Sequence, residues 1–221
     1  MEQATSRATS RAISGAIRDQ RRERIVHVAK ELFFGAGYGA TSMSTIAARL
    51  GGSKATLYAY FKSKEELFKA IIAEQCDQIL EVMDAEAEDG DVRQALTNLG
   101  MKLGEMLFSE WGNRTLQLVV EESARSPELA QLFNSAGAEV GKRRMAEFLT
   151  KAQTRGALVI PNPTRAAEQF LSLIKGDLHF KRVLGLIPEP SEAEIRREVD
   201  QSVDMFMRAY GPRTDDTAGA R

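Results

Sequence analysis

Residues 54–60 combine polar side chains with apolar ones at the spacing of a short helix. Lys54 and Thr56 stand in its first turn, where lysine suits the acceptors of guanine and threonine can meet a base edge or a thymine methyl in the major groove. Tyr58 and Tyr60 alternate with apolar residues, and their hydroxyls suit contacts with phosphates. The segment therefore predicts an exposed helix that reads duplex DNA.

The preceding residues have the pattern of a helix-turn-helix, which needs two short helices joined by a tight turn. Ala47 is small, as required where the second helix crosses closely over the first. Gly51 lies where the turn needs a left-handed residue, and Ser53 can cap the second helix, whose amino terminus would then face DNA. The apolar contacts that set the crossing angle would come from Ile46, Leu50, Leu57 and Phe61. The alternative is a generic pair of small helices with tyrosine and phenylalanine as core residues.

Positive charge is concentrated at the amino-terminal end of a chain whose net charge is −1. Residues 1–64 hold 11 of the 30 Lys and Arg residues but only 4 of the 31 acids. This asymmetry suggests a polyanion-binding module attached to an acidic body. We expect residues 1–20 to form a flexible basic arm. The arginines of this arm, and the two that directly follow it, either add contacts to DNA or belong to a solvated tail. These arginines are Arg7, Arg11, Arg18, Arg21 and Arg22.

The remaining composition excludes several classes of protein. No apolar run approaches the roughly 20 residues of a membrane span, and no signal-peptide core is present, so we expect a cytoplasmic protein. The single Cys76 excludes an intramolecular disulfide and a multi-cysteine metal site. His27 and His179 lie far apart, and no phosphate loop, metal-spaced cluster or nucleophile elbow occurs. We therefore expect neither an enzyme nor a cofactor.

Helical periodicity dominates the chain, and it predicts an all-α protein of about nine or ten helices. The predicted divisions are a DNA-binding domain over 21–66, a helical ligand-binding and dimerisation domain over 67–211, and a disordered tail over 212–221. Capping boxes are predicted at Ser63 with Glu66 and at Ser191 with Glu194. Ser126 before Pro127 marks another helix start. Further helices are expected over about 91–109, 113–124, 127–136, 138–155 and 163–186.

The amino-terminal third resembles the tetracycline-repressor (TetR) family of transcriptional regulators. The matching stretches are residues 39–47, 50–51, 56–61 and 63–67, with Ala29, Phe33, Gly37 and Tyr38 upstream. The resemblance implies a three-helix head, a helical ligand-binding body and a homodimer on a palindromic operator. Transferred to matching positions, it implies DNA contacts by Thr41, Ser44, Lys54, Ala55, Thr56, Tyr58, Tyr60 and Lys64.

The body resembles, more weakly, the carboxy-terminal half of multidrug-efflux-type members of that family. This resemblance implies a repressor of an efflux or catabolic operon that a small lipophilic molecule releases from DNA. Large adaptable side chains suit such a pocket, although each is individually more typical of plain core. The candidate ligand-binding residues are Met83, Met101, Phe108, Trp111, Phe133 and His179. A helical adaptor, or a regulator without a small-molecule ligand, stays open as an alternative.

The last two helices are apolar on more than one side, and a second apolar face on an exposed helix indicates a partner. By resemblance they form a four-helix interface with a second copy. The candidate interface residues are Phe170, Ile174, Leu178, Val203, Phe206 and Met207. Two heads must then lie roughly 34–36 Å apart, or a multiple of it, to occupy successive major grooves. We expect a ligand to swing the long helix after Ser63 and change this spacing.

Overall fold

The computed structural model describes the backbone of residues 2–85 and 91–212 and, from Ile17 onward, their side chains except those at 78, 84 and 85. Over these residues the chain forms ten α-helices and one π-helical turn, Asn134–Ala138, which confirms the all-α prediction. The helices are α1 Glu2–Ala36, α2 Met43–Leu50, α3 Lys54–Tyr60, α4 Lys64–Ala85, α5 Val92–Phe108, α6 Glu110–Ser123, α7 Pro127–Phe133, α8 Glu139–Thr154, α9 Pro163–Val183 and α10 Glu192–Tyr210. None of the described helices is long and apolar enough to cross a membrane.

Helices α2 and α3 form a helix-turn-helix whose ends are set by local chemistry. The Ser42 hydroxyl accepts a hydrogen bond from the Thr45 amide, and the Ser53 hydroxyl accepts one from the Thr56 amide, so both amino termini are capped. Gly51 ends α2 with φ 67° and ψ 23°, a left-handed conformation that a side chain would strain. The turn therefore has the geometry predicted from Ala47, Gly51 and Ser53.

The predicted flexible arm over 1–20 is not separate from α1, because one continuous helix runs from Glu2 to Ala36. Alanine, arginine and glutamine favour helix, and no proline interrupts the segment. The first buried side chain of α1 is Ile25 among the side chains that are described, whereas residues 17–24 are all exposed. Thus the amino-terminal part of α1 extends the helix beyond the core of the head.

Helix α4 joins the head to the body. At its start the Ser63 hydroxyl accepts a hydrogen bond from the Glu66 amide, while the Glu66 carboxylate accepts one from the Lys62 amide instead of the Ser63 amide. Only half of the predicted capping box is therefore formed. The box at Ser191 and Glu194 is complete, and Ser126 makes no side-chain cap. Of the predicted tail, all but Pro212 lies outside the described residues.

In the body, α10 packs closely on α5 because two glycines remove side chains from the contact. A Cβ atom on Gly100 would lie 2.7 Å from Val199 Cγ1, and one on Gly104 would lie 2.6 Å from Ile195 Cγ2. Helix α6 begins at Glu110, earlier than predicted, because Ser109 both ends α5 and caps α6. Helix α9 is kinked at Gly176, whose φ is 48° and ψ −160°. The apolar pattern of residues 163–183 is continuous in the sequence, but the kink divides the helix into two segments that run in different directions.

The prediction for the dimer interface is wrong for most of its residues. Phe170, Ile174, Val203 and Phe206 are all buried in the core of the single chain, at about 1% exposure each. Leu178 and Met207 are partly buried against the same core. The large apolar side chains that remain exposed on α9, on α10 and in the loop between them are other residues, namely Phe180, Leu184, Leu186 and Met205.

Candidate DNA-binding face and internal cavity

Helix α3 has one fully buried residue, Leu57, and presents several of its other residues to solvent. Lys54, Ala55 and Tyr58 are exposed, and Thr56 is partly buried with its hydroxyl against that of Ser53 at 2.9 Å. Tyr60 is also partly buried and packs against the core of the head. This exposure is what contact with a DNA groove requires. On α2, Ser44 is exposed as well.

Thr41 does not have the role predicted for it. Its side chain is only 2% exposed, and its hydroxyl donates to the carbonyl oxygens of Gly37 at 2.8 Å and Leu32 at 3.2 Å. The hydroxyl thus satisfies backbone oxygens at the carboxyl end of α1, where a helix leaves carbonyl groups without partners. Thr41 stabilises the junction between α1 and α2 and is not available to DNA.

Lys64 lies at the start of α4, and in this structure it is bound to Tyr38. Its ammonium donates to the Tyr38 carbonyl oxygen at 2.9 Å and lies 4.0 Å from the centre of the Tyr38 ring. The Tyr38 hydroxyl in turn approaches the Glu65 carboxylate at 3.4 Å, and burial, followed by this carboxylate, raises the pKa of Tyr38. Lys64 therefore ties the loop after α1 to α4, in addition to any phosphate contact.

Basic residues of α1 lie beside helix α3. Arg21 and Arg24 line an open groove between α1 and the helix-turn-helix, which also includes Ser53 and Thr56 from the amino-terminal end of α3. The Arg22 guanidinium lies 5.3 Å from the centre of the Phe61 ring. Arginine charges therefore stand beside the end of α3 that the helix dipole makes favourable for phosphate.

The body contains a cavity of about 520 Å³ between α4 and the later helices. Of the predicted ligand-binding residues, Met83, Trp111, Phe133 and His179 line it. Met101 and Phe108 do not line it, because both side chains are buried in the surrounding core. The Phe108 ring instead packs edge-on against the imidazole of His179, with 6.0 Å between the ring centroids.

Sequence reasoning missed much of the cavity wall, which α4 and the π-helical turn contribute. A Cβ on Gly137 would lie 3.0 Å from Ile72 and 3.7 Å from Cys76, so this glycine lets the turn approach α4 closely. Periodicity predicts that such residues face inward but does not show that they surround a space. The missed lining residues of α4, α5 and the π-helical turn include Ile72, Gln75, Cys76, Ile79, Leu80, Leu99, Leu107, Asn134 and Gly137.

Polar groups line one part of this otherwise apolar cavity. His179 is partly buried, and burial, with a smaller contribution from Lys175, lowers the pKa of its imidazole. Burial also raises the pKa of the Cys76 thiol, which therefore stays protonated and behaves as a small apolar group. An apolar chamber with a few polar side chains is the usual form of a site for a small organic ligand.

Two structural features connect the cavity wall to the head: the continuous helix α4 and the packing of Trp111 against α1. Helix α4 lines the cavity from Ile72 to Met83 and begins in the head at Lys64. Trp111 of α6 lines the cavity too, and it packs edge-on against Phe34 of α1 at 6.1 Å with the Lys30 ammonium 4.5 Å from its ring. Burial lowers the pKa of Lys30, although Glu74 opposes this shift. A change in cavity shape can thus reach the head through either helix.

Comparisons with known families agree with this division into head and body. The model of bacterial regulatory proteins of the TetR family matches residues 25–71. The model of the carboxy-terminal domain of AefR-like transcriptional repressors matches residues 94–212. The first match ends within α4, the helix that joins head and body, and the second begins in α5.

Individual relatives extend the similarity over nearly the whole chain. The flavonoid-responsive regulator FrrA is 34% identical, with a TM-score of 0.71 over 89% of this chain and 100% of its own. A TetR-family regulator from Mesorhizobium loti MAFF303099 is 27% identical, with a TM-score of 0.75 over 88% and 99% of the two chains. The transcriptional activator FasR of Mycolicibacterium smegmatis is 40% identical over 36% of this chain, a match that spans 32% of FasR.

Each of the two family models covers a separate structural unit. Together they include the helix-turn-helix, its supporting helices and the helices around the cavity except the stretch Ile72–Met83 of α4, which lies between the two matches. One of them alone covers more than half of the sequence. FrrA, in addition, matches over its whole length and 89% of this chain at 34% identity, more than a shared fold alone requires. This chain therefore belongs to the TetR family of helix-turn-helix transcriptional regulators, which bind DNA and are not enzymes.

Proposed function

We propose that this regulator represses transcription from a palindromic operator and is released from it by a small lipophilic effector. The observation that carries this proposal is the 520 Å³ cavity whose wall includes α4, the helix that also supports the head. The repressor description of the matched carboxy-terminal family supports the sign of regulation. The flavonoid response of the relative FrrA supports a planar organic molecule of moderate size as effector.

The release mechanism follows from the close packing between α4 and the π-helical turn. A ligand in the cavity would contact Ile72 and Cys76 of α4. Both side chains lie close to Gly137 of the turn, so they have little room to move toward it. Packed interfaces move between discrete arrangements rather than deforming continuously. We therefore expect the ligand to displace α4 and change the distance between the two heads of the dimer. A ligand lowers operator affinity only to the extent that it binds the displaced form more tightly.

The proposal is tested by selecting bound fragments from genomic DNA and then titrating candidate effectors into the complex with the best fragment. We expect an inverted repeat in the selected DNA and loss of binding as the effector is added. Spin labels on the two heads should report a changed separation. Release without any change in head separation would contradict the α4 displacement, and recovery of only non-repeated sites would contradict the palindrome.

A helical adaptor without DNA affinity would behave differently with salt. Each phosphate neutralised by the protein contributes about −0.9 to the slope of log affinity against log salt concentration. Several phosphate contacts from α1, α3 and α4 should therefore produce a steep slope. Removing Arg21 and Arg24 together should make the slope shallower without changing the preferred sequence.

Lys54→Ala should change which bases the protein prefers. Lys54 is exposed in the first turn of α3, where its ammonium can reach guanine acceptors, and a good base contact contributes about 1–3 kcal/mol of discrimination. Lys64→Ala is the matched comparison, and it should weaken binding to all sequences by a similar factor. Binding to a library of operator variants measures both effects. Parallel losses across every variant for both substitutions would refute the assignment of Lys54 to base readout.

The exposed apolar residues Phe180, Leu184, Leu186 and Met205 are proposed to take part in the homodimer interface. Phe180→Asp should dissociate the dimer, since a two-fold interface loses the contact twice and about 2 kcal/mol per phenylalanine corresponds to roughly a thousandfold in dissociation constant. Sedimentation of the dilute protein measures this change. Phe180→Leu is the control and should stay dimeric, whereas an unchanged mass for Phe180→Asp would exclude Phe180 from the interface.

A further inference from the structure

Cationic side chains cluster on one part of the cavity wall. Lys142 of α8 and Arg165 and Lys175 of α9 line the cavity together with His179, which follows the kink at Gly176. A single carboxylate, that of Glu168, lines the same cavity. For a chamber that is otherwise apolar, this is a strongly unequal set of charges.

Most of these charges are already neutralised by neighbours. Arg165 pairs with Glu168 at 3.1 Å. Lys142 pairs with Glu139 on its own helix. The nearby Asp177 is occupied by Lys181, so it is not available to the cavity.

Lys175 is the exception, because no carboxylate in the described part of the chain forms an ion pair with it. Burial against the cavity wall, and secondarily the charge of Lys142, lowers the pKa of its ammonium. The Lys175 side chain is still exposed in part, so its unpaired charge costs little, but an anion brought beside it on the cavity wall would gain an ion pair that no described carboxylate supplies. The side chain remains accessible to solvent at the edge of the cavity, so a ligand can reach it.

We infer that the effector is an amphipathic acid, whose apolar body fills the cavity and whose anionic oxygen pairs with Lys175. This inference rests on the proposed function and adds the chemical class of the ligand. The apolar body would contact residues such as Met83, Leu103 and Phe133. His179 lies beyond the kink at Gly176 but lines the same cavity near Lys175, and its imidazole can hydrogen-bond to the same oxygen or to a neighbouring one. Carboxylates and ionised phenols share this chemistry.

The test is calorimetric titration of the full-length protein with two matched pairs of probes. Naphthalene-2-carboxylate is compared with naphthalene-2-carboxamide, and 7-hydroxycoumarin, at a pH where its phenol is ionised, is compared with 7-methoxycoumarin. We expect the anionic member of at least one pair to bind about tenfold more tightly than its neutral partner. A preference in the first pair alone assigns a carboxylate, and a preference in the second alone assigns a phenolate.

Lys175→Met preserves the length and apolar stem of the side chain and removes its charge. The preference for the anion should disappear in this variant. Lys181→Met is the control, because Lys181 is on the same helix, pairs with Asp177 and does not line the cavity; it should keep the preference. Thermal unfolding checks that both variants are folded.

The possible failures are distinguishable. Equal binding of anionic and neutral probes to the native protein would refute the inference that the effector is an acid paired with Lys175. A preference for the anion that survives Lys175→Met would refute it too. Either result would leave the proposal of a ligand-binding cavity intact. Tighter binding of the neutral probes would also refute the acid and leave the ligand-binding cavity. If none of the four probes binds at millimolar concentration, both the acid and the proposed effector cavity are wrong.

Discussion

Leu57→Ala is expected to abolish operator binding while the body of the protein stays folded. Leu57 is 1% exposed and is the buried residue by which α3 is attached to the head. Truncating a buried leucine costs about 2–4 kcal/mol, and even 3 kcal/mol corresponds to more than a hundredfold in an equilibrium that requires the docked helix. Fluorescence anisotropy with a labelled operator measures the loss.

Hydrogen exchange locates the effect of this substitution. Amide protons in α2 and α3 should exchange faster, whereas those of α5, α8 and α10 should be unchanged, since the body has its own apolar core. Val120→Ala is the control, because Val120 is 60% exposed on α6 and its truncation should change stability by less than about 0.5 kcal/mol. Native operator affinity in Leu57→Ala would show that α3 is not held in the way described.

Gly112→Ala is expected to destabilise the body more than its single added methyl group suggests. A Cβ at this position would lie 2.0 Å from the Met106 carbonyl oxygen, a backbone atom that cannot rotate away. The glycine is required because Ser109 joins α5 to α6 directly, donating to the Met106 carbonyl at 2.8 Å and accepting from the Gly112 amide at 3.0 Å. Overpacking of this kind costs about 1–3 kcal/mol, or more when the backbone must move.

Chemical denaturation measures the change in the free energy of unfolding. Gly141→Ala provides the matched control, since Gly141 also lies in a helix along the cavity, but a Cβ atom added to it would meet no atom within 4 Å. There the helix propensity of alanine should stabilise the protein by about 0.5–1 kcal/mol. Equal effects at both positions, or stabilisation by Gly112→Ala, would contradict the close approach of α5 and α6.

The helix-turn-helix could be predicted from the sequence because it depends on neighbouring residues. Ser42 and Ser53 cap helices that begin beside them, and Gly51 adopts a conformation that its own lack of a side chain permits. Even here, the burial of Thr41 was not predictable, since one of the two carbonyl oxygens that its hydroxyl contacts, that of Leu32, lies nine residues earlier and comes near only when the loop after α1 folds back against that helix. The extent of α1 also differed from prediction, because helix propensity continues through the arginine-rich segment.

Much less of the body than of the head could be predicted from the sequence. Its periodicity marks Phe170, Ile174, Val203 and Phe206 as apolar, and it marks Phe180 and Met205 as apolar too, but it does not show which set meets the core. That choice follows from the glycine contacts of α5 with α10 and from the kink at Gly176, which depend on residues far apart in the chain. The sequence alone determined a DNA-binding head, since caps and turns act locally. Only the tertiary structure decided which apolar faces are buried, where a cavity remains and that Lys175 stands beside it without an ion-pair partner among the described residues, because each of these results from packing between distant helices.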